Sequence, residues 1–311
     1  MEKIIFEKLK QTLKSKGEIK ILSTDVDKRF DDACKILSDE VPNIKYINID
    51  SNFIKNYENK EDLFNLYKEI RSGKEDEKAL TKNFNDPNFF ATLLVKSGWA
   101  SGIVSGATHP TSSILRPAFQ IIKTRTKGEV ISSLTWLSKD NYQDMFFADI
   151  SVIPNPDFKQ LSQIAIQTAN SVKKIFNVKP VVAMLSFSTK GSGGKQDDVI
   201  KVQEATKLVE KSGIKVYGEI QWDAAIRKEI FSKKMGIKNP KDMPNVFIFP
   251  DLNSGNIGYK IAATLGEFNA VGPILQNIDK PINDLSRGCN PREIADLVII
   301  TALQTIEKKG N

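Results

Sequence analysis

The chain has 311 residues, with 45 Lys and Arg against 38 Asp and Glu for a net charge of +7, and it carries one histidine and two cysteines. That length buries a large core and suits two domains better than one. No basic run exceeds two residues and no Arg-rich stripe alternates with aromatics, which argues against nucleic acid as a partner. The diffuse lysine excess either draws in small anionic substrates or reflects a lysine-rich coding bias. Cys34 and Cys289 are too few for a disulfide framework and are not spaced as a metal pair, so no metal and a reducing, cytoplasmic setting are expected. No uninterrupted apolar run approaches the roughly 18 to 20 residues of a membrane span, and neither end carries a lipidation signal, so no membrane association is expected.

At the N-terminus, Ile4, Ile5, Phe6, Leu9 and Leu13 recur at helical spacing with no cleavage site, as in an ordinary docking helix. Ile19 to Ser23 is a short β-type run ending in Ser-Thr-Asp, and a helical pattern follows to about Leu37. Lys45 to Ile49 repeats the strand and Asn52 to Ile70 the helix, which predicts parallel βα units. Asp86-Pro87 starts a helix over Asn88 to Lys96, and Gly102 to Val104 reads as a third buried strand.

That strand runs into SGATHPTSSILRPAFQII, where Gly106, Thr108, His109, Thr111 and Ser112 crowd a strand-to-helix turn, the place where open α/β sheets bind ligands. Short hydroxyls and glycines converging before Arg116 suit an oxyanion; the plainer reading is a capped helix with solvated hydroxyls. His109 is the only histidine, so carboxylates, Tyr or Lys must share any proton transfer, and its own simplest role is to bond its own turn.

Gly128 to Leu137 and Met145 to Ile153 read as an antiparallel strand pair, and a domain boundary is expected near residue 125. Asn155-Pro156 opens a helix over Phe158 to Phe176, followed by a buried strand over Pro180 to Leu185. The loop FSTKGSGGKQDD has glycines at 191, 193 and 194 flanked by Lys190 and Lys195. It is not a Walker A loop, since Thr189 stands where the first glycine belongs, and it is either a mobile lid or a linker. Helices are predicted over Asp197 to Lys211 and Asp223 to Lys233, and strands over Val216 to Gln221 and Asn245 to Phe249. In PDLNSGNIGYKIAATLG, Ile257, Ile261 and Leu265 fall at i, i+4 and i+8, so that face is expected to pack inward, with Gly266 closing the helix. Gly255 and Gly258 in its first turns imply close approach of a ligand or a neighbouring element. Asn256 and Lys260 share one side of it.

The most reactive stretch is NDLSRGCNPRE, Asn283 to Glu293. Asn290 reads as an N-cap, Pro291 as the first helical residue and Glu293 as the third, a capping box opening a buried helix over Ile294 to Ile306. The positive end of that helix and the Arg287 guanidinium make a phosphate-like oxyanion the expected guest near Ser286. Alternatively, the Ser-Arg-Gly turn only satisfies nearby carbonyls. The element order, with this helix last, predicts that the C-terminal segment returns to the first domain: 1–125 plus 276–311 as domain I, 126–275 as domain II, and an active cleft between them.

The segments VSGATHPTSSILRPAFQIIK, FADISVIPNP, NVFIFPDLNSGNIGYKIA, GPILQ and NDLSRGC, in this order and spacing over roughly residues 60 to 307, resemble the phosphate acetyltransferase (phosphotransacetylase) family. The resemblance implies a two-domain α/β/α fold related to isocitrate and isopropylmalate dehydrogenases, usually homodimeric. It also implies reversible acetyl exchange between coenzyme A and inorganic phosphate, with acetyl-CoA, phosphate and acetyl phosphate as substrates and no resident cofactor. By the same resemblance Ser286 bonds the reacting thiol or carbonyl, Arg287 binds phosphate or stabilises the oxyanion, and Arg116 and Arg71 lie near the acyl phosphate and coenzyme A. Thr108, His109, Asn256, Tyr259 and Lys260, in the matching blocks, are substrate-binding candidates.

One position departs from the family pattern. Where the family commonly has an aspartate seven residues after the serine, as base for the thiol, this chain has Glu293, which also fits the capping box; both roles stay open. Cys289 stands at a family cysteine position and is read as structural. The implied mechanism is direct: Glu293 takes the thiol proton, the thiolate attacks the acetyl carbonyl, and Arg287, Arg116 and Ser286 stabilise the tetrahedral oxyanion and departing phosphate. The alternatives are phosphate butyryltransferase, with the same chemistry on a longer chain, and a non-catalytic acetyl-CoA-sensing module. Against the latter stand the intact Ser286, Arg287 and Arg116 and the lack of an attached catalytic domain. No nicotinamide fingerprint supports a related dehydrogenase.

Overall fold

The computed structural model describes residues 2–306, with side chains from Phe6 onward. Two compact units emerge, one built from Ile4–Lys127 together with the segment from Ile278 on, the other from Gly128–Asn277. Ten strands in the described residues form two sheets. Strands β1 (Ile19–Ser23), β2 (Ile44–Asn48), β3 (Gly102–Ser105) and β10 (Ile282–Asp284) make an all-parallel sheet ordered β10-β3-β1-β2. Strands β4 (Ser132–Ser138), β5 (Met145–Ala148), β6 (Val182–Leu185), β7 (Val216–Ile220), β8 (Val246–Ile248) and β9 (Asn269–Gln276) make a sheet ordered β7-β6-β8-β5-β4-β9. In it β7, β6, β8 and β5 are parallel, and β4 runs antiparallel to both neighbours. The fold is mixed α/β.

In the first unit the helices are α1 (Glu2–Lys14), α2 (Lys28–Glu40), α3 (Ser51–Asn56), α4 (Lys60–Arg71), α5 (Glu77–Phe84), α6 (Pro87–Ser97) and α7 (Thr111–Pro117). The second unit contributes α8 (Phe158–Ile175), α9 (Asp197–Lys211), α10 (Trp222–Ile226), α11 (Lys228–Met235) and α12 (Leu252–Thr264), and α13 (Pro291–Ile306) returns to the first. Aspartate opens six of the described helices: Asp27, Asp50, Asp76, Asp86, Asp157 and Asp251 each accept a first-turn amide. Asp157, not Asn155, caps α8, with Gln160 completing a capping box. Pro87 at the start of α6 and Gly98 just past its end, at φ 87°, follow the usual end preferences. After Pro117 the chain continues as a π-turn over Ala118–Ile122, closed by Lys123 N–H to the Ala118 carbonyl.

The predicted helix Asn52–Ile70 is two helices, because Tyr57 takes an extended conformation between α3 and α4. Likewise Asp223–Lys233 divides at Arg227, which is extended. The run expected to continue to Ile153 ends at Ala148 for an electrostatic reason. Buried Asp149 accepts the amides of Ser151, Val152 and Ile153, which withdraws them from the ladder.

In the parallel sheet the chain passes from β1 outward to β2 and then to the other side as β3, so the reversal point lies between β1 and β3. The carboxyl ends of β1, β3 and β10 therefore stand side by side, where open α/β sheets receive ligands. Over that sheet α13 is buried along one continuous stretch, Ile294 to Leu303, against α2 and β3.

The face of α12 expected to point inward does the opposite. Ile257, Ile261 and Leu265 are 57%, 52% and 82% exposed. What α12 packs inward is Tyr259, Ala262 and glycine backbone: a Cβ on Gly255 would strike the Asp149 carbonyl and one on Gly258 the Phe249 ring, so the glycines set the helix close to the sheet. Helical spacing identified an apolar stripe and could not say which side it faced.

Candidate active site

The strand-to-helix turn after β3 does bind an oxyanion, but it is the protein's own. Asp25, at the end of β1 and 2% exposed, accepts the amides of Gly106 (2.9 Å) and Ala107 (3.1 Å) on Oδ2, and the amide (2.8 Å) and hydroxyl (2.7 Å) of Thr108 on Oδ1. Ser105 adds its hydroxyl at 3.3 Å. Successive amides converging on one carboxylate form a nest. Gly106 makes it feasible: its φ is 124°, and a Cβ there would fall on Asp284 Oδ1 and 2.8 Å from the Leu285 amide. His109 donates Nε2–H to the Thr24 carbonyl (3.1 Å), so it ties β1 to this turn and does not bond its own turn as expected.

Asp284, the last residue of β10, is buried beside this nest. Thr111 donates its hydroxyl to Oδ2 at 2.6 Å, while Oδ1 has no hydrogen-bond donor. Burial, with the Asp25 charge adding to it and Thr111 opposing it, pushes this carboxyl up to about 7.

Directly after β10 the chain surfaces. Ser286, Arg287 and Gly288 are exposed, and Arg287 has no carboxylate partner among the described residues. The capping box forms as the residues require: Glu293 N–H donates to Asn290 Oδ1 at 3.0 Å and Asn290 N–H to Glu293 Oε2 at 2.9 Å. Burial raises the Glu293 carboxyl, and the Asn290 amide offsets only part of that, so it is a stronger base than an ordinary glutamate. Its second oxygen, Oε1, is left over from the cap. Cys289 is buried, and burial pushes its thiol up to about 12 despite Arg29 nearby, which suits a packed side chain and not a thiolate nucleophile.

The arginines divide into occupied and free. Arg71 reaches Glu75 through Nε (3.1 Å) and Nη2 (2.9 Å), in a pair whose side chains are 12% and 10% exposed. Glu75 also accepts Tyr67 and Asn83; burial pushes it up, but these bonds outweigh burial and hold it below the usual range. Arg116 is exposed, stacked over the Phe89 ring at 5.5 Å, with no carboxylate partner among the described residues. Thr108, His109, Ser286, Arg287 and Glu293 thus gather at the carboxyl ends of β3 and β10, whereas Arg71 sits at the end of α4, already neutralised.

Asn256, Tyr259 and Lys260 belong to the second unit, on α12. Asn256 donates Nδ2 to the Ile150 carbonyl (3.0 Å), Tyr259 packs on the core beneath, and exposed Lys260 lies over the Tyr259 ring at 5.4 Å. The glycine loop after β6 is tethered to buried Glu219, which accepts Ser188 Oγ (2.8 Å) and the Gly191 amide (2.6 Å). Lys190 Nζ caps the Met235 carbonyl at 2.6 Å.

Sequence reasoning missed two residues here. Asp25 stood in the Ser-Thr-Asp end of a predicted strand, a legible signal only once β3 was known to lie beside β1. Arg29, in an ordinary helix pattern, gave none.

The residues 36–302 match the family model described as phosphate acetyl/butaryl transferase. Relatives include the phosphate acetyltransferase of Bacillus subtilis (strain 168), 45% identical over 252 residues, covering 80% of this chain and 77% of the relative. That of Staphylococcus aureus (strain MSSA476) is 43% identical over 274 residues, covering 86% and 81%. The chain belongs to the phosphate acetyl/butyryl transferase family. Among solved structures, a phosphotransacetylase from Streptococcus pyogenes superposes with a TM-score of 0.88 at 38% identity, covering 98% of this chain and 99% of that one. A 4-hydroxythreonine-4-phosphate dehydrogenase from Klebsiella pneumoniae, at 10% identity and a TM-score of 0.51 over 92% and 98% of the two chains, shares the fold, which places the chain in a dehydrogenase-like architecture. The family is one of acyltransferase enzymes.

Proposed function

We propose that this chain catalyses reversible transfer of an acetyl group between coenzyme A and inorganic phosphate by direct thiolate attack within a ternary complex, with coenzyme A as a substrate and no resident cofactor. The observation that carries the site is the exposed Ser286–Arg287 pair at the end of β10, set against the α13 N-terminus and a carboxylate, Glu293, whose proton affinity burial has raised. Glu293 Oε1 takes the proton from the coenzyme A thiol. The thiolate forms its bond to the acetyl carbon; the tetrahedral oxyanion is stabilised by Arg287 and Ser286; the bond to the phosphate oxygen then breaks, and Arg287 with Arg116 holds the departing phosphate. Thr108 and His109 shape the floor through Asp25 and Thr24, and Asn256, Tyr259 and Lys260 contribute to substrate binding, whereas Arg71, already paired with Glu75, does not.

The two compact units are, in this reading, the two domains of the family fold, in a cytoplasmic homodimer. The α12 face supports the dimer. Exposed Ile261 and Leu265 border a groove of about 690 Å³ lined by Tyr142, Trp222, Ile226 and Phe268, and Ile257 is exposed one turn before Ile261. Together they put exposed apolar side chains side by side on one face, the composition that distinguishes interaction surfaces from scattered exposed hydrophobics. A ridge beside a groove on one face is self-complementary about a two-fold axis.

Thioester formation from coenzyme A and acetyl phosphate, run beside butyryl phosphate and an Arg287→Ala control, tests the reaction. Rapid acetyl transfer that the control loses is the expected result. Preference for butyryl phosphate moves the chain to the other branch, and binding of acetyl-CoA without turnover of either defeats the reading. Light scattering on wild type and Leu265→Glu tests the dimer; a monomeric wild type at micromolar concentration removes it.

A further inference from the structure

Arg29 spends all five of its N–H donors inside the protein. Nε donates to Asp27 Oδ2 at 2.8 Å, and Nη2 to the same oxygen at 2.5 Å and to the Ala107 carbonyl at 3.0 Å. Nη1 donates to the carbonyls of Arg287 (2.8 Å) and Cys289 (3.1 Å). One guanidinium therefore joins the loops that follow β1, β3 and β10. Its planar fork is what permits this, since a lysine ammonium on a flexible stem cannot hold three carbonyls and a carboxylate in fixed directions.

We infer that Arg29 is a positioning residue for acetyl transfer, a clamp on the carbonyls either side of Gly288 that fixes where Ser286 and Arg287 present their side chains. With no donor left over it does not bind substrate itself. Two features make the clamp necessary. Ser286 to Gly288 is exposed and makes only short-range bonds of its own, Cys289 N–H to the Ser286 carbonyl (3.0 Å) and Gly288 N–H to Ser286 Oγ (3.4 Å). The clamp is in turn held from behind, because Asp27 both caps α2 and grips Arg29. Asp27 and Arg29 share a hydrogen-bonded ion pair that keeps the carboxyl below its usual range.

The inference rests on Ser286 and Arg287 being the acetyl-transfer site, so the test has a readout that does not. Arg29→Lys, Arg29→Ala and Asp27→Asn are compared with wild type by steady-state kinetics with coenzyme A and acetyl phosphate, and by hydrogen exchange across residues 285–290. Displacement of a catalytic loop by about 1 Å costs on the order of 100-fold in rate, so kcat should fall by about that factor in both Arg29 variants, with the coenzyme A KM within about threefold of wild type. Added guanidinium should restore part of kcat in Arg29→Ala. Exchange should rise over 285–290 in all three variants and stay unchanged over α8 and α9. An Arg29→Lys enzyme with wild-type kcat overturns the inference, as does a raised KM at constant kcat, or exchange that is unchanged in the loop or raised throughout the fold. Should wild type itself lack activity, the acetyl-transfer reading falls, and loop exchange alone still decides whether Arg29 is the clamp.

Discussion

Thr108 gives both its amide, at 2.8 Å, and its hydroxyl, at 2.7 Å, to one oxygen of Asp25. A nest suited to an oxyanion is thereby filled from within, so in the proposed mechanism the substrate anion goes instead to Ser286, Arg287 and Arg116. Asp25→Ala should lower stability by about 2 to 4 kcal/mol, because it strands the buried amides of Gly106 and Ala107 and removes the partner of the part-buried Thr108 amide and hydroxyl. Millimolar phosphate should recover part of that loss in the variant and much less in wild type. Thermal melts in phosphate and in an uncharged buffer would check this; equal responses of the two proteins would count against the nest.

Glu293 caps α13 through one oxygen and in the proposed mechanism is the base through the other, and substitution separates the two roles. Glutamine keeps an acceptor for the Asn290 amide, so Glu293→Gln should melt within about 2 °C of wild type. Its kcat should fall on the order of 100-fold or more, with coenzyme A KM nearly unchanged. Since the base must be ionised and burial raises its proton affinity, the acid limb of the wild-type kcat profile should have its midpoint above an ordinary glutamate's. Turnover unaffected by the substitution would leave Glu293 as a cap alone.

The free and paired arginines should respond oppositely. Arg116→Ala and Arg287→Ala remove exposed groups without carboxylate partners among the described residues, and should lower kcat/KM by at least tenfold while shifting Tm by no more than about 2 °C. Arg71→Ala instead abandons Glu75 in a mostly buried site and should cost about 1 to 3 kcal/mol. Calorimetry beside kinetics discriminates; an Arg71→Ala protein as stable as wild type would show that Glu75 does not need its partner.

Asp284 predicts a pH dependence of stability. Its folded proton affinity, near 7, lies above that of an ordinary aspartate, so the folded state holds the proton more tightly than the unfolded chain. Its contribution to stability is complete below the unfolded value and is lost as pH rises through about 7. Asp284→Asn should flatten this part of the curve between about pH 4 and 7, by at most about 4 kcal/mol. Denaturant titrations of both proteins across that range would reveal it, and parallel curves would refute it.

Much of this was legible in the residues. The Asn290–Pro291–Glu293 pattern specified its helix start completely, because a capping box is local chemistry among neighbours in sequence. The glycine, hydroxyl and proline content of the turn after β3 marked an oxyanion nest for the same reason. What filled that nest was not legible, since Asp25 lies 81 to 83 positions from the amides it binds and only the parallel pairing of β1 with β3 brings them together. Arg71 illustrates the converse: its match to a family position gave no hint that Glu75, four residues on and past the end of α4, would neutralise it. The α12 stripe failed for a different reason, because periodicity reports that a face is apolar and is silent on whether core or solvent meets it.

Residues Ile294 to Leu303 of α13 are buried against α2 and β3, in the unit begun by the first 127 residues. On the ribosome, that opening segment must therefore wait with part of its apolar surface uncovered while about 180 further residues are made, roughly ten to forty seconds at ordinary elongation rates. The intervening unit, contiguous in sequence, can fold at once. During synthesis the second unit should thus be native first, and the loop bearing Ser286 and Arg287 is assembled only after it.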